Sequence, residues 1–223
     1  AKLETEAYMM YEGSVSVPEL RALAFKHFME HKALCINDGE LIVGEKGDGP
    51  QAAPSFPELC CHTVEDMKVM DARDLIYFRV SEEDLKVQEE TIIPFWEKRS
   101  IRHKILENMS EEWKDAYATG IFTEFMEQRG PGHTVGSEKI YKKGFQDYKN
   151  DIIEARNRLD FLNDKEAFDK KAQLNAMEIC CDAIMILGER YAAYARELAE
   201  KETDEIRKQE LLQIAANCDV VPA

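Results

Sequence analysis

Phe122-Thr123-Glu124-Phe125-Met126-Glu127-Gln128-Arg129-Gly130-Pro131-Gly132-His133-Thr134 gathers two acids, an arginine and a histidine around a Gly-Pro-Gly turn. Glycines on both sides of Pro131 permit close backbone approach and dihedrals that other residues resist. A histidine held on such a turn can give or take a proton near neutral pH. The bland reading is a solvated histidine on a surface loop, and the residue types alone leave both readings open.

Four other groupings could do chemistry. His27 and His31 stand four residues apart on a stretch with helical periodicity, a spacing that can ligate zinc. The hydrolytic His-Glu-x-x-His pattern needs a glutamate directly after the first histidine, and Phe28 stands there, so no metal is expected. Cys60-Cys61-His62 has no second Cys/His cluster near it in sequence and reads as small apolar residues beside a surface histidine. Cys180-Cys181 falls inside an apolar helical pattern and reads as core. Gly44-Glu45-Lys46-Gly47-Asp48-Gly49-Pro50 is glycine-rich, but a phosphate loop wants Gly-Lys-Ser/Thr opening a helix; a structural turn is expected.

The elements that must position these residues are mostly helical. Residues 1–11 read as the end of a helix stopped by Gly13, and Ser16 with Pro18 opens another. Glu40-Leu41-Ile42-Val43, bounded by Gly39 and Gly44, is the best strand candidate, and residues 47–57 form a loop. Thr63 with Asp66, and Ser81 with Asp84, resemble capping boxes with Asp in place of Glu. Pro94 should interrupt the helix begun near Ser81. Ser110 should cap a short helix ending at Gly120, and residues 121–126 are ambiguous between strand and helix. After a second glycine-rich loop at 129–137, Ile140, Tyr148, Ile152, Ala155, Leu159 and Leu162 mark one apolar face. Ala172 through Leu198 mark a longer one, and a last helix is expected over about 203–217. The expected class is predominantly α with a few short strands.

The 223 residues are 44% hydrophobic and 33% charged, which suits a folded globular chain. The net charge of −15 repels phosphate backbones and anionic membrane surfaces, so neither nucleic acid nor membrane is an expected partner. No apolar run approaches the roughly 18–20 residues that span a bilayer. The six cysteines show no disulfide framework, and free thiols in a reducing cytoplasm are expected. The chain opens at Ala1 without Met and closes on Val220-Val221-Pro222-Ala223 directly after a helical stretch, so both ends read as cut from something longer.

Glu40-Leu41-Ile42-Val43-Gly44-Glu45-Lys46-Gly47, followed by Phe125 to Thr134, resembles the amino-terminal part of a glycyl radical enzyme of the pyruvate formate-lyase-like family. Tyr11-Glu12-Gly13-Ser14-Val15, Ile92-Ile93-Pro94-Phe95-Trp96, Tyr141-Lys142-Lys143-Gly144-Phe145, Asp160-Phe161-Leu162-Asn163-Asp164 and Cys218-Asp219-Val220-Val221-Pro222 extend the likeness along essentially the whole chain. Within the family the likeness is strongest to the branch that removes water from trans-4-hydroxy-L-proline.

The resemblance implies that residues 1–223 are the helical amino-terminal part of a ten-stranded α/β-barrel fold. It implies an anaerobic, cytoplasmic lyase, a homodimer when full length. The parent would use a glycyl radical installed by an activating enzyme that carries S-adenosylmethionine and an iron–sulfur cluster. No cofactor and no metal are expected on this chain itself. The family's radical cysteine lies in a Cys-x-Glu loop, and none of the six cysteines here has Glu two residues later. The Arg-Val-Ala-Gly-Tyr type glycine motif is absent too, so the chain alone is expected to be inactive. His133 matches a pocket histidine that would hydrogen-bond or protonate a departing hydroxyl. Arg129 stands where the family sets an arginine against an anionic substrate group, a geometry that suits proline's carboxylate. The other readings are glycerol or another diol as substrate, the acyl transfer of pyruvate formate-lyase, and a non-catalytic helical interaction module.

Overall fold

A computed structural model describes residues 1–45, 47, 49, 51, 52, 54–121 and 137–223. The helices are α1 (Lys2–Tyr11), α2 (Val17–His31), α3 (Val64–Asp71), α4 (Glu82–Val87), α5 (Ile93–Trp96), α6 (Ile101–Asn108), α7 (Glu111–Ala118), α8 (Phe145–Asn157), α9 (Ala167–Lys201) and α10 (Glu205–Val220). A π-turn over Gln88–Ile92 joins α4 to α5, and a 3-10 turn spans Ser137–Tyr141. No strand occurs among the described residues. Two compact units divide the chain: Ala1–Thr5 with Ala53–Ser137, and Glu6–Ala52 with Glu138–Ala223.

The first unit is built on short capped helices. Thr63 Oγ1 accepts from the Asp66 N–H at 3.0 Å while the Asp66 carboxylate accepts from the Thr63 N–H at 2.9 Å. Ser81 and Asp84 repeat the arrangement. Each box satisfies backbone donors that the first helical turn leaves open. Pro94 does not break the helical run. The chain widens into the π-turn and re-enters α5 with Pro94 in the first turn. Trp96, Ile92, Pro57 and Thr5 are buried at the centre, with Gln88 and Ser100. Gln88 Nε2 donates to the His62 carbonyl at 2.6 Å, which satisfies its buried amide. The N–H groups of Ile101 and Arg102 donate to the carbonyls of Glu58 and Leu59 at 2.8 and 3.0 Å, tying the loop before α3 to the start of α6.

The second unit is organised by α9, 35 residues long, which packs against α2, α8 and α10. Its buried positions are mostly small: Ala176, Ala183, Ala192, Ala195 and Ala199, with Gly188 and Tyr191. A Cβ at Gly188 would lie 2.5 Å from Pro222 Cγ and 2.8 Å from the Cys218 carbonyl oxygen, so the glycine permits the close approach of the α10 end. Ala195, Ala199, Leu211, Ile214 and Ala215 form the α9–α10 core, with Ile36, Val43, Leu198 and Cys218 packed on it.

The expected capping of α2 holds: Ser16 and Glu19 form a full capping box. At the other end Arg190 of α9 donates to the carbonyls of Met29 and Lys32 at 2.5 and 2.8 Å, taking up acceptors that the last turn of α2 leaves open. A polar chain then crosses the unit. Glu19 Oε1 accepts from Asn175 Nδ2 at 2.9 Å, Arg156 donates to Asn175 Oδ1 at 3.0 Å, and Arg156 pairs with Glu178.

The structure departs from two further sequence expectations. Residues 40–43 are not a strand. Leu41 and Ile42 face out, Val43 packs on the α9–α10 core, and Arg207 of α10 donates to the carbonyls of Asn37 and Glu40 at 3.0 and 2.9 Å. The run has no neighbouring strand among the described residues, and the guanidinium takes the place of a ladder. The apolar face drawn from Ile140 to Leu162 is not one helix either. Gly144 opens α8, Arg158 closes it, and Asp160 Oδ1 then accepts from the N–H groups of Leu162 and Asn163 at 3.0 and 3.1 Å. That Asx-type turn leaves Leu162 exposed.

Candidate functional site

His133 and Arg129, the residues on which the sequence reading places substrate chemistry, lie outside the described residues. So do the rest of the 122–136 stretch and all of the ambiguous segment 121–126 except Ile121. Their anchors are described. On one side α7 ends at Ala118 with Thr119 as its cap, and Gly120 takes φ +74°, the left-handed conformation that closes a helix most readily as glycine. On the other side the Ser137–Tyr141 turn leads to Gly144, whose N–H donates to the Asp147 carboxylate at 3.3 Å at the head of α8.

The first glycine-rich loop carries no sign of a phosphate cradle in its described part. Such a cradle turns N–H groups inward. Here the Glu45 carbonyl accepts from the Lys32 ammonium, so an acceptor faces a cation. Lys32 is buried, with its Nζ 5.9 Å from the ring centroids of both Phe28 and Tyr191. Desolvation lowers its pKa. Burial pushes the Tyr191 phenol up to about 12. Sequence reading passed over Lys32. Its one signal is a cation directly after the last turn of α2, and that position is usually solvated.

All six cysteines are free thiols. Burial raises the pKa of Cys61 to about 11, and it raises Cys180, Cys181 and Cys218 as well. These thiols stay protonated at neutral pH and are poor nucleophiles and poor metal thiolates. Cys181 is buried within α9, as expected of core. Cys60, Cys61 and His62 are half-buried, and the His62 carbonyl, not its ring, makes the structural contact to Gln88. The residues present do not supply a radical-bearing cysteine loop of the Cys-x-Glu type, and no step through a radical is assigned to them.

On α2 the rings of His27 and His31 stack with centroids 4.2 Å apart and planes tilted by 34°. His31 Nδ1 lies 2.9 Å from the His27 carbonyl oxygen, and His27 Nε2 lies 3.3 Å from Glu6 Oε2 of α1. Glu30 stands beside the pair, and one ligating atom from each of His27, Glu30 and His31 falls within 4.8 Å of the others. In the first unit an apolar cleft of about 570 Å³ is lined by Ile101, Ile105, Met109 and Trp113, with Lys104 and Asn108 at its edge. No described helix is long and apolar enough to cross a membrane.

Three similarities place this architecture among known proteins. The trans-4-hydroxy-L-proline dehydratase of Clostridioides difficile is 62% identical over 223 residues, all of this chain and 28% of that protein. The crystal structure of hydroxyproline dehydratase from the same organism, with trans-4-hydroxy-L-proline bound, superposes with a TM-score of 0.91 over 100% of this chain and 28% of its own. A structure reported for 1,2-propanediol dehydration in Roseburia inulinivorans gives a TM-score of 0.86 at 31% identity, covering 99% of this chain and 26% of its own. The chain thus spans about 28% of the length of the relatives it resembles most among these. The pyruvate formate lyase-like family model matches residues 1–223 without remainder, and the chain belongs to that family.

Proposed function

We propose that this chain is the amino-terminal helical part of a glycyl radical dehydratase that removes water from trans-4-hydroxy-L-proline. The observation that carries the reading is 62% identity along every residue of the chain to a protein of that activity, together with the TM-score of 0.91 to a relative holding that substrate. The radical chemistry belongs to a cysteine and a glycine that this chain does not contribute. Its own residues bind, orient and exclude water. His133 holds the departing hydroxyl and supplies the proton that lets it leave as water, since loss of hydroxide needs a nearby donor. Arg129 sets a two-pronged guanidinium against the ring carboxylate.

Most of the remaining residues act as wall. Radical intermediates must be kept from solvent, and layers of packed helix do that. Phe168 on α9 stands exposed, as do Ile42, Leu75 and Leu162 in the segments between helices, which suits surfaces that the rest of the parent covers. The parent is proposed to be cytoplasmic, dimeric and activated by a radical S-adenosylmethionine enzyme.

The test is turnover by the full-length parent, activated without oxygen and offered trans-4-hydroxy-L-proline, glycerol or propane-1,2-diol. Formation of a pyrroline carboxylate from hydroxyproline alone supports the reading. Turnover of a diol with hydroxyproline untouched moves the parent to another branch of the family.

A further inference from the structure

We propose that His27, His31 and Glu30 form a binding site for one divalent transition-metal ion of the zinc type. The three side chains lie on adjacent turns of α2, and their ligating atoms already stand within 4.8 Å of one another. A tetrahedral zinc with bonds of about 2.0–2.1 Å holds neighbouring ligand atoms roughly 3.3 Å apart, so closure needs only side-chain rotation. His31 is exposed and Glu30 half-buried, so Glu30 can turn toward an ion once Lys26 releases it.

The tautomers favour the ion. A carbonyl oxygen can only accept, so the His31 Nδ1 facing the His27 carbonyl carries the proton and the other ring nitrogen offers its lone pair. A carboxylate likewise only accepts, so the His27 Nε2 facing Glu6 carries a proton in the neutral ring and the second nitrogen is free. Each imidazole therefore has one nitrogen held by an oxygen acceptor and one available, the arrangement that orients histidine ligands in metal centres. Glu6 is the positioning carboxylate for His27.

Charge points the same way. The net charge of −15 concentrates cations near the surface. Lys26, 3.8 Å from Glu30, is the competing cation and must give way. Two nitrogens, one carboxylate and an open fourth position suit zinc, nickel or copper in preference to magnesium or calcium.

The test is titration of the intact chain with Co²⁺ and Zn²⁺ under reducing conditions, read by visible absorption and calorimetry. One equivalent should bind with the d–d spectrum of nitrogen and oxygen ligands and without thiolate charge transfer. His31→Gln, at an exposed position, should abolish that equivalent while leaving the circular dichroism unchanged. Glu6→Gln should weaken it by roughly 10- to 100-fold. Undiminished binding in the His27→Gln/His31→Gln variant, a thiolate-dominated spectrum, or no bound equivalent would each overturn the assignment.

Discussion

Trp96 Nε1 donates a 2.8 Å hydrogen bond to Thr5 Oγ1 across 91 residues of chain, and neither side chain reaches solvent. Thr5 Oγ1 in turn donates to the Ala1 carbonyl at 2.9 Å, and the Ala1 nitrogen donates to the Ser55 carbonyl at 2.8 Å. The start of α1 is thereby fastened inside the first unit. Thr5→Val keeps the shape and removes the acceptor of this buried hydrogen bond. It should lower stability by about 1–3 kcal/mol, read from the urea midpoint. Adding Trp96→Phe removes the donor of the same bond, so the double variant should lose less than the sum of the single losses.

Gly188 faces the end of α10. Gly188→Ala forces a Cβ against Pro222 Cγ and the Cys218 carbonyl, and the backbone acceptor cannot rotate away. The expected cost is about 1–3 kcal/mol despite alanine's better helix propensity. A thermal melt that rises instead would show that α10 moves off freely.

Hydrogen bonds from Ser16, and secondarily from Asn175, hold the Glu19 carboxyl below its ordinary value of 4.5. A depressed carboxylate contributes stability above its unfolded pKa and loses it as pH falls through the folded one. The acid limb of stability should therefore move toward neutral in Ser16→Ala, and by less in Asn175→Ala. Ser16→Ala should also cost about 1 kcal/mol at pH 7 through the lost cap. Carboxyl NMR titration of Glu19 in the two variants checks the order.

Tyr191 has the opposite sign. Its phenol rises from 10.0 to about 12, so its contribution is complete below pH 10 and is lost as pH climbs toward 12. The buried hydroxyl has no hydrogen-bond partner among the described residues. Tyr191→Phe should therefore change stability at pH 7 by less than about 1 kcal/mol and flatten the alkaline limb. Denaturant midpoints between pH 8 and 11 decide it.

In the activated full-length parent, His133→Ala should cut dehydration by roughly 10²–10⁴-fold and leave the glycyl radical signal in electron paramagnetic resonance intact. Unchanged turnover would remove His133 from the site, and a lost radical signal would assign it a structural role.

Local chemistry was legible in the sequence. The cap at Ser16, the capping boxes at Thr63 and Ser81, the stop at Gly13 and the long apolar stripe of α9 each depend on residues within a turn or two of one another. The family likeness was legible for a related reason, because motifs such as Gly130-Pro131-Gly132-His133 are contiguous. Packing decided the rest. An apolar run at 40–43 reads as strand until Arg207, distant in sequence, takes its carbonyls. Two histidines on α2 read as incidental until Glu6 of α1 and the His27 carbonyl stand against their rings. Periodicity reports which face of an element is apolar. Which distant group satisfies a backbone acceptor or orients a ring is settled only once the helices are side by side.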